Sequence, residues 1–116
     1  MHAERFERKG DDPFYIAPSG LKAMIIGLLE LSLRIPESQS LKAKRQILLG
    51  LKTRLRQRFN ISVSETDHQD KWQLSSLGVA CVGNDRAGVN RCLSHVVEWV
   101  QRGRDVELLD YALEFL

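Results

Sequence analysis

The densest set of side chains able to do chemistry lies at residues 65–73, where three carboxylates, one imidazole and one indole occur within nine residues. The candidate groups are Glu65, Asp67, His68, Gln69, Asp70, Trp72 and Gln73. A histidine among carboxylates could bind a divalent metal ion or act in an acid–base pair. The segment lacks the ligand spacing of known metal motifs, and no nucleophile motif or phosphate-binding loop accompanies it, so the chemical signal is weak.

Three interpretations of this segment remain open. The first is structural, because Asp and His side chains often bond backbone amides across a tight hairpin connection. The second is a protein-binding surface centred on Trp72, whose indole offers the large contact area of a hot spot. The third and least favoured is a metal-dependent hydrolase that uses Glu65, Asp67, His68 and Asp70. We therefore assign no catalytic residue and no metal ligand, and we lean against an enzyme.

A second candidate is the basic segment at residues 41–59, which holds seven Lys or Arg residues and no acid. Its apolar residues recur at helical spacing, which predicts an amphipathic helix with cations on both flanks of the apolar stripe. A row of cations on a helix can follow a phosphate backbone, since each neutralised phosphate releases counterions. The predicted nucleic-acid contacts are Lys42, Lys44, Arg45, Lys52, Arg54 and Arg56.

Lys44 differs from the other cations because it projects into the apolar arc of the predicted helix. We expect its stem to pack there while its ammonium group reaches outward to solvent. The competing interpretations of the whole segment are a solvated helix face and a site for an acidic protein. The absence of acids argues against the first, because a merely soluble helix usually mixes signs.

The elements that would position these groups follow from periodicity. Strands are predicted at residues 24–35, 61–65, 74–83 and 106–115, and helices at residues 41–59 and 86–102. The first and third strands are apolar on both faces, which is typical of central strands, whereas the other two alternate as edge strands do. The last strand is slightly out of strict alternation around Leu109. The prediction is an α+β, ferredoxin-like β-α-β-β-α-β fold, with a four-stranded antiparallel sheet and two helices on one face. The central strands contain no Phe, Tyr or Trp, so bases are not expected to stack on the sheet.

Composition limits the chain to one domain, because 116 residues with 43% hydrophobic and 28% charged side chains match an ordinary globular protein. Residues 24–116 are expected to form that domain and residues 1–23 a disordered extension, with Met24 a candidate start. No membrane span or signal peptide is evident, so we expect a cytoplasmic protein. Cys81 and Cys92 are expected to be buried free thiols, and His95 a partly buried packing residue.

Four short stretches carry a family resemblance. They begin with Ser40-Leu41-Lys42-Ala43-Lys44-Arg45 and continue at residues 58–65, 67–73 and 83–86. With these stretches the chain resembles the YlxP-like family, a bacterial group catalogued as a domain of unknown function. The resemblance implies a ferredoxin-like fold, no established enzymatic activity, and a ribosome-associated or RNA-binding role. Where the family commonly has an acid, this chain has Ala43, which increases the local positive charge.

The function predicted from the sequence is a non-enzymatic accessory protein that binds RNA or the ribosome through its basic first helix. The alternative is a homodimeric interaction module that pairs through the sheet face the helices leave open. No cofactor, small-molecule substrate or membrane partner is predicted.

Overall fold

The structure, a computed structural model, describes residues 24–116. The predicted extension at residues 1–23 lies outside the described residues. Six elements follow in the predicted order, namely β1 Ile25–Arg34, α1 Leu41–Arg58, β2 Ser62–Asp67, β3 Leu74–Gly83, α2 Arg86–Gln101 and β4 Glu107–Phe115. Neither of these two helices is both long and apolar enough to cross a membrane.

The sheet is antiparallel, and its strand order is β2-β3-β1-β4. The prediction that the first and third strands are central is therefore confirmed. Leu29, Leu31 and Leu33 of β1 are each at most 1% exposed and belong to one core with the buried residues of both helices. Since side chains alternate along a strand, the residues between them face the open side of the sheet.

β4 contains the irregularity that its sequence pattern indicated. Ser32 of β1 pairs with Asp110, but the next residue, Leu33, pairs with Leu108. Leu109 is thus the extra residue of a β-bulge, and its side chain is half exposed. The bulge explains why the apolar residues of this strand depart from strict alternation.

Both helices begin at capping residues. The hydroxyl of Ser40 accepts a hydrogen bond from the Ala43 amide at 3.0 Å. The carboxylate of Asp85, the residue before α2, accepts a hydrogen bond from the Gly88 amide at 2.9 Å. These caps fix where each helix starts and therefore which side chains face the sheet.

Gly27 determines how closely α2 approaches the central strand. A Cβ atom built at this position would lie 2.6 Å from Val89 Cγ1 and 2.7 Å from Leu93 Cδ1. Both α2 side chains are buried against the sheet. The missing side chain of Gly27 thus provides the space into which the first turns of α2 pack.

Candidate nucleic-acid interface

α1 presents the largest set of cations in the described part of the chain. Its buried residues, Leu48, Leu51 and Leu55, hold one side of the helix against the sheet. The first turn contains no acid, and the last turn contains Arg56 and Arg58, which the helix dipole favours at that end. The remaining cations are divided between the two flanks that border this buried side.

One flank carries four cations, Lys42, Arg45, Lys52 and Arg56, which we call the β2-side cations because Arg56 among them contacts β2. All are exposed except Lys52, which is partly buried. The Arg56 guanidinium donates a 2.8 Å hydrogen bond to the Val63 carbonyl, which anchors this flank to the edge strand. At 1.5 Å per residue the row spans about 21 Å, over which one strand of a duplex carries about six phosphates.

The other flank faces α2, and its cations are Arg54 and Arg58. Arg54 lies 3.6 Å from Asp105, and the two side chains are 49% and 65% exposed, so the pair is a weak surface contact. The guanidinium carbon of Arg58 lies 5.9 Å from the ring centroid of Trp99 on α2. Arg54 and Arg58 therefore border a groove between the helices rather than the outer ridge of α1.

Lys44 corrects one prediction from the sequence. Its side chain is 1% exposed, so the ammonium group does not reach solvent. Instead Nζ lies 3.0 Å from Glu65 Oε2 and donates a hydrogen bond to the His68 carbonyl. A buried, paired ammonium cannot contact a phosphate backbone, so Lys44 is removed from the predicted interface.

Residues 65–73 divide into an inner and an outer side. On the inner side Glu65 accepts from the Ser75 hydroxyl at 2.6 Å in addition to its pairing with Lys44. Gln73 donates to the Ser38 carbonyl at 3.1 Å. These contacts tie the connection between β2 and β3 to the start of α1, and they support a structural role for Glu65 and Gln73.

The outer side of the same segment is polar and open to solvent. Asp67 accepts from the His68 amide at 2.7 Å, and His68 adopts a positive φ of 62°. Gln69 and Asp70 are exposed, and Trp72 is 56% exposed. Trp72 is therefore accessible to a partner, but no other feature of the described residues indicates what that partner is.

The structure does not assemble the groups of the proposed metal-dependent hydrolase. Within residues 24–116 no group of three or more His, Cys, Asp or Glu side chains is placed to hold a metal ion. Glu65 faces the helices and pairs with Lys44, whereas Asp67 bonds its own loop. The carboxylates that are close in sequence thus point to different surroundings.

Trp99 and His95 were not predicted as functional residues. His95 was expected to be partly buried, but its side chain is exposed, because it lies at the solvent side of the apolar stripe of α2. His95, Trp99 and Arg102 line one cavity together with Arg58 of α1. In the sequence, the only indication of this cluster is Trp99, a large aromatic residue at the margin of the apolar stripe of α2. The position of Trp99 in the stripe does not show that Arg58 of α1 lies beside it.

Both cysteines are free thiols; Cys81 is buried as predicted, whereas Cys92 is only partly buried. The pKa of Cys92 is raised to about 11, mainly by burial and to a smaller extent by a hydrogen bond with Cys81. Because the thiolate is the reactive form, neither the position nor the pKa favours a nucleophilic role for Cys92.

Two sequence comparisons agree with the resemblance. A model of the family described as protein of unknown function (DUF503) matches residues 26–113. A Bacillus subtilis (strain 168) protein, named uncharacterized protein YlxP, is 35% identical over 83 residues, which cover 72% of this chain and 90% of that protein. Among solved structures, the de novo designed protein Ferredog-Diesel matches with a TM-score of 0.43 and 12% identity, covering 96% of this chain and 99% of that chain.

Proposed function

We propose that this chain, which belongs to the DUF503 family of proteins of unknown function, is a cytoplasmic RNA- or ribosome-binding accessory protein. The surface of the chain itself supports this proposal. The β2-side cations would contact the phosphate backbone. The single observation that carries this proposal is the row of four such residues on α1, a helix without any acid.

The accessibility of the row supports the proposal. None of the β2-side cations has an ion-pair partner among the described residues, whereas Lys44, Arg34 and Arg54 each do. Unpaired surface cations keep their charge available for phosphates, and each phosphate contact releases condensed counterions. Contacts of this kind fix position and orientation on a nucleic acid without reading base sequence.

The alternative, a homodimer formed through the open sheet face, is less favoured by charge. A shallow cavity on that face is lined by Leu28, Gly78 and Ala112, but also by Glu30 and Glu114. Two copies stacked through this face would place both acids of each copy in one interface, where like charges repel. Light scattering at low and high salt tests the alternative, since a sheet dimer between acidic faces should strengthen as salt increases.

The RNA proposal is tested by binding to a hairpin duplex and to ribosomal subunits at several salt concentrations. If the β2-side cations each contact one phosphate, the plot of log K against log salt should have a slope of about −3.6 for a duplex, at about −0.9 for each phosphate. Reversing the four residues to Glu should abolish binding. Arg45→Gln alone should reduce the magnitude of the slope by about one contact.

A matched control comes from the opposite side of the molecule. Arg34 is half exposed and pairs with Glu107 at 2.7 Å, so Arg34→Gln removes the same net charge as Arg45→Gln. If both variants weaken binding equally, the effect is one of total charge, and the assignment to α1 is wrong. If wild-type protein binds neither RNA nor ribosomal subunits, the proposed function is wrong.

A further inference from the structure

We propose that the groove between α1 and α2 around Trp99 binds one unpaired nucleotide of RNA, with its base stacked on the indole and its phosphates held by the surrounding arginines. This inference rests on the proposed RNA-binding function and adds that the bound nucleotide is unpaired. We call this feature the Trp99 groove and define it by Arg54, Arg58, His95, Trp99, Arg102 and Arg104.

The Trp99 groove consists of two cavities that share Trp99 and Arg102. One has a volume of about 450 Å³, and Leu51, Val100 and Val106 form its apolar wall. The other has a volume of about 360 Å³ and lies beside Arg58 and His95. Both volumes fall within the range of small-molecule sites, about 300–1,000 Å³. An apolar wall next to several cations suits a ligand that has a flat apolar part and a negative charge.

The positions of Arg58 and Trp99 fit a stacked base. Successive bases in a strand are about 3.4 Å apart, so a base held between two planes needs them about 7 Å apart. The guanidinium carbon of Arg58 is 5.9 Å from the Trp99 centroid, so a shift of about 1 Å would admit a base. Arg58 is exposed, and its side chain can move by this amount without disturbing the core. Stacking on an aromatic ring and on a guanidinium is a common way of holding unpaired bases.

The charge of the Trp99 groove is positive. Four of its lining side chains are arginines, and the acids that line the same cavities are Glu98 and Asp105. Asp105 pairs with Arg54 across 3.6 Å at the surface, a contact weak enough for a phosphate to replace. An acidic peptide could use the arginines, but its carboxylates would leave the indole and the apolar wall without a partner. A nucleotide uses both, and only an unpaired one exposes the face of its base.

The experiment uses the fluorescence of Trp99. The chain has two tryptophans, so Trp72→Phe leaves Trp99 as the only one. This variant is titrated with single-stranded hexaadenylate, with a blunt-ended RNA duplex that has no loop, and with poly-glutamate. Hexaadenylate should quench the Trp99 emission in a saturable way, while the duplex should bind without quenching because its bases are already stacked.

Two sets of variants test the residues of the Trp99 groove. Trp99→Leu should lower the affinity for hexaadenylate by about 5- to 150-fold, the effect of one stacked base, and leave duplex binding unchanged. Because Trp99 also packs against the core, circular dichroism must show that this variant is folded. Arg102→Gln with Arg104→Gln, both exposed, supplies a second variant that does not alter the core. Tyr111→Leu, at a side chain 50% exposed on β4, is the matched control and should bind as wild type.

The possible results separate the two proposals. If the duplex binds through the β2-side cations but hexaadenylate neither quenches Trp99 nor responds to the groove variants, the nucleotide inference is wrong and the proposed function stands. If poly-glutamate quenches Trp99 more strongly than hexaadenylate does, the groove takes an acidic protein segment and the inference is again wrong. If no RNA binds at all, both proposals fail together.

Discussion

The buried pair of Lys44 and Glu65 gives the sharpest prediction from the structure. Lys44→Met keeps the length and apolar character of the stem but removes the ammonium group. Glu65, whose side chain is only 18% exposed, then retains a single hydrogen bond from Ser75, and the His68 carbonyl loses its donor. Removing one partner of a buried ion pair typically costs about 3–5 kcal/mol.

The expected loss is a large part of the stability of the domain. At about 0.05–0.15 kcal/mol per residue, residues 24–116 should have a free energy of unfolding of about 5–14 kcal/mol. A loss of about 3 kcal/mol corresponds to a decrease in Tm of at least about 12 °C for a domain of this size. Urea denaturation followed by circular dichroism measures the free energy directly, and thermal unfolding provides an independent value.

The double variant Lys44→Met with Glu65→Leu distinguishes a buried pair from a packing effect. Replacing both charges by apolar groups should cost less than the sum of the two single changes, because neither charge is left unpaired. The surface pair of Arg34 and Glu107 is the matched control, with both side chains 51% exposed, so Arg34→Met should cost at most about 1 kcal/mol. If Lys44→Met costs no more than Arg34→Met, the pairing of α1 with the β2–β3 connection does not stabilise the fold, and the reasoning is refuted.

Two further predictions concern packing and thiol chemistry. Gly27→Ala should destabilise the domain by about 1–3 kcal/mol, because its Cβ would meet α2 side chains at 2.6 and 2.7 Å. Gly50→Ala, in a helix interior with its nearest neighbour at 3.6 Å, should instead stabilise the domain by about 0.5–1 kcal/mol. Urea denaturation measures both changes in the free energy of unfolding, and equal effects would contradict the packing argument. Since the pKa of Cys92 is raised to about 11, its thiol stays protonated at pH 8, and its alkylation by iodoacetamide should accelerate until the pH approaches 11. The contrary result is an alkylation rate that levels off near pH 9 in the folded Cys81→Ser variant but not in the wild type. It would show that Cys81, and not burial, causes most of the increase in the pKa of Cys92.

The element order and the position of each strand in the sheet followed from the sequence by itself. Strands that are buried on both faces must lack a polar face, so the apolar runs of β1 and β3 identified them as central. The departure from strict alternation around Leu109 was also visible in the sequence, and the register shows that a β-bulge causes it. These features depend on periodicity within one element, which is local information.

The surroundings of Lys44 and Trp99 were decided only by the tertiary structure. The helical pattern placed Lys44 in the apolar arc. It did not reveal the partners of Lys44, which are Glu65 and the His68 carbonyl and lie more than twenty residues further along the chain. Arg58 and Trp99 are separated by forty-one positions and meet because α1 and α2 pack side by side on one face of the sheet. Hydrophobic periodicity specifies which face of an element is buried, but it does not specify which side chains from other elements will meet that face, since that depends on how the whole chain packs.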